Sequence, residues 1–260
     1  MSTPAYDVAG EGPTVLLLHS FPLDRAMWAR QVSAISAEGF RVLAPDLPGF
    51  GQTPTPDGDA PSLDAYVASV VSLLDAMGVG HPLVLGLSLG GYVALRLAAL
   101  HPNRVGALVL ADTRAAADAP DARASRVVNL SLVRSKGAGA LIRKMIPMVL
   151  AGSAPDTVKT TVVAIGERQS PEGISYALLA MRDRPDGTEA LAGITAPTLC
   201  LVGDDDKVTP PSEVRAMADA IPGARFVEIA GAGHLSNFDA PEDFDREVLR
   251  FANDHRERFD

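Results

Sequence analysis

The sequence predicts an α/β fold in which a mainly parallel β-sheet is covered by helices on both faces. Short aliphatic runs without polar alternation recur along the chain, which is typical of parallel strands buried on both sides. Helical patterns separate most of these runs, and this alternation favours parallel pairing through right-handed crossovers. The chain has 260 residues, of which 47% are hydrophobic, so it is long and apolar enough to form a large core.

Six segments are predicted to be strands, and each of them is short and aliphatic. The first is TVLLL at residues 14–18. The others are RVLA, LVL, ALVL, TLCLV and RFVEI, at residues 41–44, 83–85, 107–110, 198–202 and 225–229. All are far shorter than the run of about 20 apolar residues that a transmembrane helix needs, so no membrane span is expected.

Helical periodicity fills the gaps between the strands. It is clearest in LDAYVASVVSLLDAMG, residues 63–78, with Ser62 as the expected N-cap and Gly78 as the expected stop. Pro241 suits the first turn of the last helix, because a proline lacks the N–H that would be unpaired there. The other helices are predicted at residues 26–36, 91–100, 212–220 and 241–253.

A stretch without a convincing strand interrupts the alternation between residues 112 and 191. Its predicted helices are separated by Gly, Pro and Ser, and they cover residues 122–134, 137–150, 157–168 and 173–182. We therefore predict two units. Residues 1–111 and 192–260 form the α/β core, and residues 112–191 form an all-helical insertion.

Composition excludes several classes of function. The chain has 23 Lys and Arg against 32 Asp and Glu, and this net charge of -9 disfavours binding to nucleic acid or to an anionic membrane. A single cysteine, Cys200, excludes an internal disulfide and a metal site made of several cysteines. The first residues lack the basic and apolar regions of a secretory signal, so a cytoplasmic location is expected.

The strongest local motif is GLSLG at residues 86–90, between a predicted strand and a predicted helix. A serine on such a sharp turn has its hydroxyl exposed at the C-terminal edge of the sheet. The flanking glycines are needed because a Cβ atom at either place would clash in so tight a turn. We interpret Ser88 as a candidate nucleophile, and a glycine-rich turn with a passive serine is the alternative.

A nucleophilic serine needs a base, and the chain has five histidines. His81 and His101 each precede a proline in a turn, and His255 lies in a charged tail, so a surface position is expected for all three. His19 precedes the serine, and a base at that place would need an unusual chain order. His234 follows a predicted strand on the glycine-rich loop GAGH, which makes it the best candidate base.

The acid that orients the base is expected at a strand end between the serine and the histidine. Asp204, Asp205 and Asp206 follow the predicted strand 198–202, and spacing does not decide among them. A metal site is the alternative interpretation. It is disfavoured because consecutive side chains in a loop diverge and no further ligand lies nearby.

The turn HSFP at residues 19–22 follows the first strong strand and opens at the same edge of the sheet. A backbone N–H exposed there can pair with the N–H of Leu89 to bind the oxyanion of a tetrahedral acyl-transfer intermediate. An ordinary strand-to-helix turn is an equal alternative on spacing alone.

The chain resembles the α/β-hydrolase superfamily over essentially its whole length. The matching stretches are LLLHSFPLDRAMW, APDLPGFGQT, LVLGLSLGGYVAL, TLCLVGDDDKVTPP and AGAGHLSNFDAPEDF. The resemblance implies an α/β-hydrolase fold with the insertion as its cap, and it implies Asp206, three residues after Gly203, as the triad acid. The family's HG-x-P turn corresponds to residues 19–22, with Ser20 in place of the usual glycine, which implies the N–H of Phe21 as an oxyanion donor.

The resemblance implies a carboxylic-ester hydrolase that requires no metal or organic cofactor. Ser88 would attack the ester carbonyl while His234 takes its proton, and Asp206 would fix the imidazole tautomer and stabilise the imidazolium. The N–H groups of Phe21 and Leu89 would hold the oxyanion. His234 would then protonate the leaving alcohol and activate the water that releases the acyl-enzyme.

Other activities remain open on the same residues. HLSN at residues 234–237 resembles enol-lactonase-like hydrolases and bacterial esterases, and HSFPL at residues 19–23 resembles an esterase and cofactor-free perhydrolase group. Hydrolysis of enol-lactones or C–C bonds, and perhydrolysis, are therefore alternatives. A non-catalytic receptor for small ligands is an alternative of another class, because a fold does not fix function.

The expected partner is a small to medium, uncharged ester or lactone, because the side chains expected at the pocket are apolar. For each of them, core packing is an alternative of at least equal weight to pocket lining. They are Phe21, Trp28, Leu89, Met145, Met148, Leu178, Met181 and Leu235. The sequence leaves the oligomeric state open, with a homo-oligomer as one alternative.

Overall fold

A computed structural model of the chain describes residues 3–56 and 60–260. In that part of the chain, seven strands form one sheet in the order β1-β3-β2-β4-β5-β6-β7. All neighbouring strands are parallel except β1 and β3, so the predicted mainly parallel sheet is confirmed. The strands are β1 (Tyr6–Ala9), β2 (Thr14–Leu18), β3 (Arg41–Pro45), β4 (Leu83–Leu87), β5 (Ala107–Ala111), β6 (Thr198–Gly203) and β7 (Arg225–Ile229).

Helices connect the strands and follow the last of them. The α-helices of the described residues are α1 (Ala29–Ala37), α2 (Leu63–Ala76), α3 (Leu89–Leu100), α4 (Pro120–Val149), α5 (Asp156–Glu167), α6 (Pro171–Arg182), α7 (Pro211–Ala220), α8 (Ser236–Asp239) and α9 (Pro241–Asp254). Short 3-10 helices lie at Arg25–Trp28, Pro102–Arg104, Thr188–Gly193 and Arg256–Arg258. Among the helices described, none combines the length and the apolar character that crossing a bilayer requires.

The sheet separates two apolar layers, because successive side chains of a strand point to opposite faces. In β2, Leu16 and Leu18 pack in the layer that contains α2 and α3. Val15 and Leu17 pack in the other layer, with α1 and α9. All four side chains are fully buried. The strands are therefore covered on both faces, as their lack of polar alternation predicts.

Strand β1 is the one strand that the sequence does not predict. It pairs only with β3, in antiparallel fashion, at the edge of the sheet. Its side chains are largely in solvent, with Tyr6 37% exposed and Val8 50% exposed. An edge strand of this kind buries too little of itself to produce an apolar run.

The ends of the helices follow the expected local signals. The hydroxyl of Ser62 accepts a hydrogen bond from the N–H of Ala65 at 3.3 Å and caps α2. Gly78, just after this helix, has φ +66°, the left-handed conformation that glycine adopts most readily at a helix end. Helix α3 begins at Leu89, two residues earlier than predicted, because it follows the turn at Ser88 directly.

Helices α4, α5 and α6 lie between β5 and β6, the place predicted for the insertion. The two helices predicted at residues 122–134 and 137–150 form one element, α4, which is broken at Gly137 with φ +77° and ψ 177°. Helix α4 packs against both α5 and α6. The division into core and insertion at residues 111 and 192 remains a prediction.

Polar side chains at the junction of α5 and α6 hold the insertion against the core. Arg168 donates hydrogen bonds to the carboxylate of Asp24 from Nε at 2.9 Å and from Nη2 at 2.7 Å. Gln169 donates to the same carboxylate at 2.8 Å and accepts from the N–H of Gly51 at 2.9 Å. Burial by itself would raise the pKa of Asp24, but the hydrogen bonds and the charge of Arg168 outweigh it and lower that pKa.

Candidate active site

Ser88 occupies a sharp turn between β4 and α3. Its φ of +53° and ψ of -110° are rare for a residue with a side chain. A Cβ atom on Gly86 would lie 2.2 Å from the carbonyl oxygen of Gly90, and one on Gly90 would lie 2.0 Å from that of Leu18. Both places therefore require glycine, and the GLSLG spacing follows from the tightness of the turn.

The main chain on both sides of Ser88 is held by β5 and the residues that follow it. The N–H of Ser88 donates to the carbonyl of Ala111 at 3.0 Å, and the hydroxyl of Thr113 donates to the carbonyl of Ser88 at 2.9 Å. These two bonds fix the strained turn. The side chain of Ser88 is left 8% exposed.

His234 lies in the loop after β7. The N–H of the next residue, Leu235, donates to the carbonyl of Val149 in α4 at 2.8 Å, and the N–H of Gly233 donates to Asp239 at 2.8 Å. Hydrogen bonds therefore hold the main chain of the loop on both sides of His234. His234 is 3% exposed, and its Nε2 is 2.8 Å from Oγ of Ser88, which is 146 positions away in the sequence.

Asp206 is the carboxylate that reaches the imidazole. Its Oδ2 is 2.8 Å from Nδ1 of His234. Its Oδ1 accepts hydrogen bonds from the N–H groups of Val208 at 2.7 Å and Thr209 at 2.8 Å. The side chain of Asp206 is fully buried, and among the described residues its one charge-pairing contact is with the imidazole of His234.

The other two acids of the loop are directed elsewhere. Asp204 accepts a hydrogen bond from the N–H of Gly231 at 2.8 Å, and Asp205 pairs with Lys207 at 3.3 Å. Both are exposed. The three adjacent carboxylates diverge, and no cluster of three or more His, Cys, Asp or Glu suited to a metal ion occurs among the described residues.

This geometry defines the proton positions needed for nucleophilic chemistry. When Nδ1 of His234 carries the hydrogen and donates to Asp206, Nε2 is left free to accept the hydroxyl hydrogen of Ser88. Such a chain of hydroxyl, imidazole and carboxylate can activate a serine for attack on a carbonyl.

Phe21 and Leu89 are the predicted oxyanion donors. Within residues 3–56 and 60–260, neither backbone N–H donates to a protein acceptor. Leu89 is the first residue of α3, where N–H groups have no partner inside the helix. Both N–H groups are therefore free of protein acceptors in the described part of the chain, and their role as oxyanion donors stays a prediction.

His19 supports the turn that carries Phe21. Its Nε2 accepts the N–H of Leu47 at 2.9 Å, and its Nδ1 lies 3.0 Å from the carbonyl of Ser20. Both ring nitrogens are thus occupied by the main chain, and burial lowers the pKa of this imidazole. His19 is held neutral and is not placed to act as a base.

The side chains predicted to line a pocket have different surroundings. Trp28 is fully buried and packs in the core, with its ring centroid 6.2 Å from that of Phe244, so it is placed as a core residue rather than a lining residue. Phe21 is 5% exposed and packs edge-on against Phe50. The remaining buried members of the set are Leu89, Leu178, Met181 and Leu235.

The two methionines of α4 are the accessible members of that set. Met148 is 47% exposed, and Met145 is half-buried. They line an open groove of about 490 Å³, whose wall includes Val208. Ser88, Asp206 and His234 are not part of its wall, and its link to the candidate site is Val208, whose N–H donates to Asp206.

Asp112 is a residue of the site that the sequence reasoning did not identify. It follows β5 directly, is fully buried, and has φ +49°. Its carboxyl accepts the N–H of Gly203 at 2.9 Å and is hydrogen-bonded to the hydroxyl of Ser236. The sequence feature that points to Asp112 is its place directly after the buried strand ALVLA, at the edge of the sheet where the other candidate residues lie.

Comparisons with known proteins show which proteins this chain is similar to. The sequence matches the model of the alpha/beta hydrolase family over residues 15–247. It is similar to a pimeloyl-[acyl-carrier protein] methyl ester esterase of Chromobacterium violaceum, with 31% identity over 251 residues that cover 92% of this chain and 94% of that protein.

Solved structures show the same likeness. An esterase from Thermogutta terrifontis superimposes with a TM-score of 0.92 and 37% identity, covering 96% of this chain and 93% of that chain. The enol-lactonase from Burkholderia xenovorans LB400 superimposes with a TM-score of 0.89 and 29% identity, covering 96% of both chains.

Proposed function

The chain belongs to the alpha/beta hydrolase family, and from this premise we propose that it is a serine hydrolase that cleaves carboxylic esters through an acyl-enzyme. The observation that carries the proposal is the unbroken chain from Oγ of Ser88 through His234 to Asp206, with both contacts at 2.8 Å. The esterases among the similar proteins support an ester as the substrate class.

In the first half of the reaction, Nε2 of His234 removes the proton of Ser88 as Oγ attacks the carbonyl carbon. Asp206 accepts the Nδ1 hydrogen and stabilises the imidazolium that forms. The N–H groups of Phe21 and Leu89 hold the negative oxygen of the tetrahedral intermediate, and Leu89 adds the partial positive charge of the start of α3. The imidazolium then gives its proton to the leaving alcohol.

In the second half, water takes the place of the alcohol. The same Nε2 removes a proton from this water, and the hydroxide attacks the acyl carbon. The second tetrahedral intermediate collapses, Ser88 recovers its proton, and the carboxylic acid leaves. The scheme calls on no group beyond these side chains and two backbone N–H groups.

The surroundings support small to medium, apolar substrates. Ser88 is 8% exposed, so the reacting carbonyl must enter a largely enclosed place. Phe21, Leu178, Met181 and Leu235 are buried apolar side chains, and Met145 and Met148 line the groove that leads toward Val208. We propose that these residues contact the acyl and alcohol parts of the substrate.

A lactone is the second candidate substrate. The similarity to the enol-lactonase of Burkholderia xenovorans favours it, and a lactone differs from an ester only in that its alcohol stays tethered to the acyl group. The same serine, imidazole and carboxylate would serve both substrates. Perhydrolysis would need hydrogen peroxide in place of water at the second step.

The deciding experiment combines labelling and hydrolysis. We expect a fluorophosphonate to label Ser88 and to block the hydrolysis of p-nitrophenyl esters. Ser88→Ala should lose both reactions, with a fall in kcat of at least about 10³-fold. Ser135→Ala is the matched control, because Ser135 is exposed on α4 and its hydroxyl bonds only to carbonyls of its own helix.

A screen of acyl chain lengths and lactones then separates the two substrate classes. Hydrolysis by Ser88→Ala at the wild-type rate would refute the serine mechanism. Absence of both labelling and hydrolysis in the wild-type protein would favour a ligand receptor on the same scaffold.

A further inference from the structure

Asp112 lies at the C-terminal edge of the sheet, directly after β5, and the mechanism above does not use it. It follows β5, which pairs with β4 on one side and with β6 on the other. Strand β4 leads to Ser88, and β6 leads to Asp206. The carboxyl of Asp112 therefore sits between the strand of the nucleophile and the strand of the acid.

Hydrogen bonds of its carboxyl group reach both the loop that carries His234 and the loop that carries Asp206. Oδ1 accepts the N–H of Gly203, which directly precedes the acid loop, residues 204–210. Oδ2 is hydrogen-bonded to the hydroxyl of Ser236, the last residue of the histidine segment, residues 230–236. One side chain thus joins two segments that are remote from each other in the sequence.

In the described part of the chain, no positively charged side chain compensates the carboxyl of Asp112. Among the described residues, no Lys, Arg or His forms an ion pair with it. The charged group that faces it is Asp206, whose carboxylate is already paired with His234. Burial raises the pKa of Asp112 well above its usual range, the charge of Asp206 raises it further, and the hydrogen bonds from Ser236 and Gly203 do not offset this.

We propose that Asp112 is a positioning residue whose neutral carboxyl joins the acid loop to the histidine segment and leaves Asp206 as the charged partner of His234. In the neutral group, Oδ1 accepts the N–H of Gly203, and Oδ2 keeps its hydrogen bond with Oγ of Ser236. A second negative charge buried beside Asp206 would repel the carboxylate of Asp206 and would also attract the imidazolium of His234. A neutral acid at position 112 does neither. The inference rests on the proposed function.

The first test compares two substitutions at this position. Glycine adopts φ +49° without strain, so Asp112→Gly removes the carboxyl group and introduces no conformational strain in the backbone. Asn also tolerates this conformation and reproduces a neutral carboxyl, with one acceptor and one donor. We expect Asp112→Gly to lower kcat by about 10²-fold with a small change in KM, and Asp112→Asn to recover most of that loss.

The pH profile of kcat/KM separates a positioning role from a purely structural one. If Asp112 is neutral, Asp112→Asn removes no charge, and the acidic limb of its profile should coincide with that of the wild-type protein. A shift of that limb to lower pH would show that a negative charge had been lost, and it would overturn the proposal. Equal losses for the Asn and Gly variants would overturn it as well.

Two further measurements keep the proposal testable if Asp112→Gly fails to fold. Ser236→Ala removes only the contact to the histidine segment, so we expect a smaller fall in kcat than for Asp112→Gly, again with little change in KM. In the infrared difference spectrum between wild type and Asp112→Asn, a C=O band of a protonated carboxyl should belong to the wild type. Absence of that band, or a wild-type kcat for Ser236→Ala, would contradict the proposal.

The infrared measurement does not depend on catalysis, so it distinguishes failure of this proposal from failure of the proposed function. If the fluorophosphonate does not label Ser88, the function is wrong, while the band still reports the state of Asp112. If the fluorophosphonate labels Ser88 but the C=O band is absent, the proposed function is supported and the proposed role of Asp112 is wrong.

Discussion

Gly173 rests directly on Gly49: a Cβ atom at Gly173 would lie 1.7 Å from the carbonyl oxygen of Gly49. Gly173 belongs to the first turn of α6, and Gly49 lies in the loop after β3. The helical insertion and the core therefore meet main chain to main chain at this point, without room for a side chain. Strands β3, β2 and β4 are parallel, so this contact lies at the same edge of the sheet as Ser88.

We expect Gly173→Ala to destabilise the protein by about 1–3 kcal/mol, because a backbone oxygen cannot move aside as a flexible side chain can. Urea unfolding measures the loss. Gly139→Ala is the matched control, since a Cβ atom at this helical glycine of α4 would be close to the flexible far end of the Arg143 side chain, at 2.6 Å, and would be at ordinary contact distance, 3.6 Å, from Cβ of Glu167. It should be neutral or stabilising by up to about 1 kcal/mol. Equal effects of the two substitutions would contradict the close contact.

Asp206→Asn should abolish most ester hydrolysis. Its Oδ1 accepts two backbone N–H groups, so the amide oxygen of Asn would stay there and the NH₂ would face Nδ1 of His234. The imidazole would then carry its hydrogen on Nε2 and be unable to accept the proton of Ser88. We expect kcat to fall by about 10⁴-fold, as such a change does in serine proteases.

Asp204→Asn and Asp205→Asn are the controls for that substitution. Both side chains are exposed and directed away from the imidazole, so kcat should change by less than about threefold. Steady-state kinetics with one p-nitrophenyl ester measures kcat for the three variants and the wild type. Comparable losses in all three variants would point to a function of the whole acidic cluster.

Asp24→Asn should weaken the attachment of the insertion in a pH-dependent way. The pKa of Asp24 is lowered in the folded state, so its stabilisation is present above the usual value of 3.8 and is lost as the pH falls through the lowered value. At neutral pH the substitution should cost about 1–3 kcal/mol of unfolding free energy, and the cost should shrink in acid.

Asp64→Asn provides the comparison, because Asp64 also pairs with an arginine, Arg96, but its side chain is 56% exposed. Solvent screens that pair, and the expected cost is below about 1 kcal/mol. Urea unfolding at neutral and acid pH measures both variants. A loss for Asp24→Asn that does not vary with pH would argue against the ion pair with Arg168.

Asp112→Asn should change the pH dependence of stability in the opposite sense. The pKa of Asp112 is raised, so the folded protein retains a proton that the unfolded chain releases above pH 3.8. The wild type therefore loses stability as the pH rises from there toward the raised value, by at most about 1.4 kcal/mol per pH unit. The variant lacks this loss, so its stability relative to wild type should increase as the pH rises above 3.8 toward the raised pKa of Asp112. If the unfolding free energies of the two proteins changed with pH in the same way, a raised pKa of Asp112 would be excluded.

The strands and helices that the sequence predicts are those with a strong burial pattern. Residues 14–18 are apolar on both faces because both faces are covered, and β2 is found there. Strand β1 is not predicted, because its side chains lie in solvent at the sheet edge and produce no apolar run in the sequence. The break in α4 falls at Gly137, where the sequence separates two helices, because a local glycine determines it.

The sequence by itself determined that a serine turn, an acidic loop and a glycine-rich histidine loop share one edge of the sheet, because parallel strands all end at the same side. The tertiary structure decided which groups touch there. It brings Asp206 rather than Asp204 or Asp205 to the imidazole of His234, and it buries Asp112 between the two loops. Neighbouring side chains of a loop point in different directions, and only the packing of distant strands selects the one that meets its partner.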